Sequence, residues 1–140
     1  MCYETLAAEL LQIRANLLRV PAQQKLSHLL RGELFVLNYL YDHDTVVHPK
    51  ELSANLSVST ARIASLLNHM EEKNLIVRVP DAEDSRQIIV CLTPDGAQAI
   101  QKYRNDVLNY LARTLESLGP DDAREYIRIQ KKIYCNYMEK

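Results

Sequence analysis

Apolar positions recur along much of this chain at helical spacing. Leu6, Leu10, Ile13 and Leu17 fall three or four residues apart, with Leu11 and Leu18 widening the stripe. That spacing predicts an amphipathic helix over about residues 3–18, stopped by Pro21. A second helix is predicted over Gly32–Asp42, where Leu34, Leu37, Tyr39, Leu40 and Tyr41 are dense enough to require burial of most of it. Asp42-His43-Asp44 then turns the chain. Thr45-Val46-Val47-His48 is short and β-branched, and reads as an edge strand.

Pro49 suits the first turn of the next helix, since its missing N–H would have no intrahelical partner there. This helix ends at Ser57, and Ser59 is placed to cap the following one, residues 59–74. The second of the pair turns Ile63, Leu66, Leu67 and Met70 inward and meets Asn74, a residue that tolerates a left-handed C-cap. The chain then changes to short apolar runs. Residues 76–79 and 87–92 read as strands joined by a charged loop, 80–86. Thr93-Pro94-Asp95 opens a long helix to about Leu118, Gly119-Pro120 breaks it, and a last helix begins at Asp121 or Asp122. The fold class is therefore mainly α with a small antiparallel β wing.

Composition and charge narrow the function. Hydrophobic residues make up 47% and charged residues 25%, which is ordinary globular usage. With 17 Lys and Arg against 18 Asp and Glu the net charge is −1, so the chain is no general nucleic-acid coat. Cys2, Cys91 and Cys135 lack CxxC spacing, which argues against a disulfide framework or structural zinc and fits a reducing cytoplasm. No apolar run is long enough for a membrane span, and no signal-peptide pattern opens the chain. Three glycines offer no nucleotide cradle, and no nucleophile elbow surrounds any serine. The expectation is a protein without cofactor or metal, and not an enzyme.

A helix, a turn, a second helix and a two-stranded wing can put one helix in a major groove and one arginine beside it. On the second helix Thr60, Arg62, Ser65, Asn68 and His69 lie outward, with Ser59 at its start. These residue types read base edges and hold phosphates. Thr60, Arg62 and Ser65 are assigned to bases or nearby phosphates, Asn68 and His69 to the backbone. In the loop, Asp84 can hold Arg86 extended toward a minor groove, while Arg78 on the facing strand can pair with the wing acids or reach a phosphate. The partner these residues imply is double-stranded DNA. The stripes on the first and last two helices exceed what the winged core, residues 32–93, can cover. Either two copies interleave residues 1–31 and 94–140 as dimerisation helices, or these fold back within one chain.

Residues 50–93 resemble the winged-helix core of the MarR family of bacterial transcription regulators. ELSANLSVS is similar to that family's first helix and turn, STARIASLLNHMEEKNLI to its recognition helix, and DSRQIIVCLT to its wing. Ser57 and Asn74 stand where the family often has glycine. The resemblance runs the whole length and implies one domain, a homodimer, a pseudo-palindromic operator and Arg86 in the minor groove. It also implies a small-molecule effector, often an aromatic or phenolic acid, for which Arg31, Tyr39 and His43 are candidates. Relatives that sense oxidants or zinc keep two further readings open, through Cys2 or through His28, His43 and His48 with Asp42 and Asp44. Between residues 48 and 93, Lys50, Arg62, Lys73, Arg78 and Arg86 face Glu51, Glu71, Glu72, Asp81, Glu83 and Asp84. That near-neutrality keeps open a protein-interaction module that does not bind DNA.

Overall fold

The computed structural model describes residues 1–43 and 46–139. Its elements are α1 (Tyr3–Leu17), α2 (Pro21–Leu29), α3 (Gly32–Asp42), α4 (Pro49–Leu56), α5 (Thr60–Glu72), β1 (Ile76–Pro80), β2 (Ile88–Leu92), α6 (Pro94–Leu118) and α7 (Pro120–Met138). They fall into two compact units, residues 1–105 and 106–140, so α6 contributes to both.

The first unit is built around the winged helix. Val36, Leu37 and Leu40 of α3 are buried with Leu52 of α4, with Ile63, Leu66, Leu67 and Met70 of α5, and with Ile76 and Val90 of the wing. On α3, Leu34 and Tyr39 are half-buried and Tyr41 is exposed, so its inner stripe is narrower than its composition predicts. The wing is one antiparallel pair with Ile76 opposite Leu92 and Pro80 opposite Ile88.

Two expectations are corrected. Pro21 does not merely stop the first helix: it occupies the first turn of α2, and Leu29 is that helix's one buried residue. Its otherwise polar sequence hides the apolar period. Second, 46–48 form no regular strand. Val47 is buried, and its carbonyl accepts one hydrogen bond from the Val90 N–H at 2.9 Å. Asp44 and Thr45, which the turn and the edge strand included, lie outside the described residues.

Chain reversals follow from two left-handed residues that are not glycine. Ser57 has φ 57° after α4, and Asn74 has φ 61° after α5. Both helices close with the same bond pair. Val58 N–H donates to Ser53 O (3.2 Å) and Ser57 N–H to Ala54 O (3.3 Å); likewise Leu75 N–H donates to Met70 O and Asn74 N–H to Glu71 O, both 3.0 Å. The wing then feeds α6 through Thr93, whose hydroxyl donates to Asn74 O (2.6 Å) and accepts from Gly96 N–H (3.0 Å). Gly96 is glycine because any Cβ there would overlap the Leu75 carbonyl oxygen and press on Leu92 Cδ2 at 3.2 Å.

The termini are built differently. Neither α1 nor α7 buries a single residue. Their apolar stripes face solvent in this single chain, with Leu6, Leu10, Ile13 and Leu17 of α1 exposed, as are Ile127, Ile133, Tyr134 and Tyr137 of α7. Among the described residues no helix is long and apolar enough to cross a membrane.

Candidate nucleic-acid interface

The outward face of α5 begins at its cap. Ser59 sits in extended backbone, and its Oγ accepts the Arg62 N–H at 3.1 Å. The cap therefore orients the first turn of α5. Thr60, Arg62, Ser65, Asn68 and His69 are all exposed, opposite the four buried apolar residues. The structure thus presents every outward residue named from sequence on one helix surface.

That surface has two flanks of different chemistry. On the wing side Arg78 Nη2 donates to Asn68 Oδ1 (2.7 Å) and to Glu71 Oε2 (2.9 Å), while the Arg78 N–H donates to Glu71 Oε1 (3.1 Å). The Arg78 guanidinium bonded to Glu71 holds its carboxyl below the usual carboxylate range. Arg78 thus pairs with α5 rather than with the wing acids, and fixes β1 against that helix. On the other flank Arg62, Ser65 and His69 line a cavity of about 640 Å³ together with His28, Arg31 and Lys73. Lys73 Nζ lies 3.1 Å from Glu33 Oε2 there. His28, Glu33 and Lys73 were not among the interface candidates, because they converge only when α2, α3 and α5 pack.

In the wing loop, Asp84 Oδ1 accepts both the Arg86 N–H (3.1 Å) and Arg86 Nε (3.2 Å). The Arg86 side chain is nevertheless 90% exposed. It is oriented at its base and free at its tip. A second anchor escaped the sequence reading: His48 Nε2 lies 2.9 Å from Asp81 Oδ2. Asp81 Oδ1 also accepts the Glu83 N–H at 2.9 Å, and the His48 contact leads the lowering of the Asp81 carboxyl below its ordinary range. The residues are 33 apart in sequence, so no local spacing signals the pair.

The three effector candidates separate. Tyr39 donates its phenol hydrogen to the Glu51 carboxylate, and that bond leads the rise of its pKa. Its ring stacks on His43 at 3.9 Å between centroids. Arg31 lines the α5 cavity instead, where neither Tyr39 nor His43 takes part. His43 does line a separate cavity of about 670 Å³ with Leu40, Tyr41, Val79 and Val90. The histidines considered for zinc are also dispersed, and among the described residues no three His, Cys, Asp or Glu side chains group to hold a metal. Asp44, considered with them, lies outside those residues. Cys2 is exposed, with Thr5 Oγ1 donating to its sulfur at 3.1 Å, a bond that lowers the thiol pKa. Cys91 is half-buried in β2.

Comparison with known proteins agrees with this geometry. Residues 29–87 match the MarR family. A Bacillus subtilis protein described as an organic hydroperoxide resistance transcriptional regulator is 30% identical over 70 residues, 50% of this chain and 47% of that protein. A transcriptional regulatory protein for the hcr operon of Thauera aromatica is 28% identical over 83 residues, 59% of this chain and 50% of its own. The chain thus spans about half the length of these curated relatives. In fold, the YusO protein from Bacillus subtilis superposes with a TM-score of 0.70 at 21% identity, over 96% of this chain and 98% of that one. A MepR variant from S. aureus, bound to an oligodeoxyribonucleotide, gives a TM-score of 0.62 at 22% identity, over 94% of this chain and 97% of its own. Residues 29–87 are thus similar to the MarR family, and nearly the whole chain shares the fold of these solved structures.

Proposed function

We propose that the protein is a homodimeric, sequence-specific DNA-binding repressor of the cytoplasm, released from its operator by a small effector. The observation that carries the reading is the pairing of an exposed polar face on α5 with Arg86, held by Asp84 and projecting from the wing. In a dimer, two copies of α5 would enter successive major grooves roughly 34–36 Å apart, and each Arg86 would reach the flanking minor groove. The solvent-facing stripes of α1 and α7 support the dimer, because large apolar patches mark interaction sites. A bound oligodeoxyribonucleotide in the MepR variant supports DNA as the partner. For the effector, the apolar cavity rimmed by His43 suits a small aromatic acid, and it adjoins the strands that carry the wing.

The test is fluorescence anisotropy on a duplex selected by the protein from random sequence. Arg86→Ala is expected to weaken binding by about 1–3 kcal/mol at matched salt. Unchanged affinity in that variant removes the wing from the interface. No binding to any duplex at low salt favours the interaction-module reading, for which the near-neutral charge of residues 48–93 speaks.

A further inference from the structure

We propose that the cavity between α3 and α5 is a phosphate oxyanion site that seats one backbone phosphodiester of DNA beside the recognition helix. The inference deepens the DNA-binding reading and rests on it. His28, at the end of α2, and Arg31, at the entry to α3, face Arg62, His69 and Lys73 of the α5 segment across about 640 Å³. One acid, Glu33, lines the same space, and it is paired with Lys73 at 3.1 Å. Among the described residues neither Arg31 nor Arg62 has an acidic partner.

Three formal cations, Arg31, Arg62 and Lys73, against the single acid Glu33 stand apart from the charge of the rest of the chain. Its net charge is −1, and acids outnumber bases six to five over residues 48–93. Like charges gathered in a cleft focus the field and attract an anion. The planar guanidiniums of Arg31 and Arg62 match a tetrahedral oxyanion better than ammonium groups would. Position selects the phosphate of a duplex. Arg62 and His69 share the stripe of α5 that also carries exposed Ser65, so a helix seated in a major groove would bring the cavity to the groove's edge. The opposite flank offers no equivalent, because Arg78 is occupied by Glu71 and Asn68. The phosphate contact is therefore one-sided, and it recruits Arg31 from outside the helix-turn-helix.

Labelled duplexes, one selected and one of unrelated sequence, are titrated by anisotropy over a range of salt. In parallel, inorganic phosphate is titrated while the His28 and His69 ring resonances are followed. Arg31→Gln should weaken both duplexes alike, about five- to tenfold, and reduce the salt slope by about one. Glu33→Gln, which frees Lys73 from its acid, should shift affinity the opposite way, a sign that a folding defect would not produce. If the native protein binds duplex and Arg31→Gln leaves affinity and slope unchanged, the site is overturned while the DNA reading stands. If no duplex binds, but phosphate moves the two histidines in the native protein and not in Arg31→Gln, the site stands as one for the free ion and the DNA reading falls. If neither binds, both fall.

Discussion

Helices α5 and α7 are both amphipathic, yet they dispose of their apolar faces in opposite ways. Helix α5 buries Ile63, Leu66, Leu67 and Met70 inside its own unit. Helix α7 buries nothing: Tyr126, Ile127, Ile133, Tyr134 and Tyr137 are 40–73% exposed, and α1 repeats the pattern with Leu6, Leu10, Ile13 and Leu17 at 44–50%. The winged helix therefore buries its own apolar face, whereas α1 and α7 leave theirs exposed. For the dimeric DNA-binding function proposed above this division would be useful, because a stable reading head can be spaced by a separate interface.

Substitutions can break that contrast. The largest effect is expected in the self-sufficient core, where Leu67→Ala should cost about 2–5 kcal/mol of stability, through lost transfer energy and the cavity left behind. Chemical denaturation reads this, and the change should not depend on protein concentration. Next comes Ile133→Glu. A charge in this exposed stripe should convert the proposed dimer to monomer in sedimentation velocity. It should also weaken operator binding about 100-fold, or ~3 kcal/mol. A variant that stays dimeric would show that α7 is not at the interface. Gly96→Ala should destabilise by about 1–3 kcal/mol, since its methyl meets the Leu75 carbonyl, a fixed backbone atom.

The smallest effect concerns the wing and pH. A carboxyl whose folded pKa is depressed contributes stability above its unfolded value and loses it as pH falls through the folded one. Asp81, lowered chiefly by His48, should thus anchor the wing loop at neutral pH and release it below the ordinary carboxylate range, about 4. Hydrogen exchange of the Glu83 amide should accelerate there. Asp81→Asn should exchange faster at neutral pH and lose the acid step.

Much of the fold was legible locally. Proline at the start of α4, the Ser59 cap, the apolar stripe of α5 and the charged loop between two short strands are all rules about near neighbours, and each element forms where they place it. Helix α2 was missed because, at nine residues with one buried side chain, its apolar period is too brief to detect. Of the interface, the outward row on α5 and the Asp84–Arg86 contact were visible, since helical spacing and a two-residue separation define them. The Arg78–Glu71 contact, the His48–Asp81 anchor and the cation-lined cavity were not.

By itself, then, the chain's residue order determined where helices start and stop, which side of α5 turns inward, and that the loop arginine would have an acid within reach. Only the tertiary structure decided which charges are spent and which remain free. It tied Arg78 to α5, left Arg31 and Arg62 without acidic partners among the described residues, and set residue 96 against the Leu75 carbonyl, where a side chain would clash. The physical reason is range. Backbone periodicity and capping act over three or four residues, whereas an ion pair or a close backbone approach depends on which distant segments packing brings together.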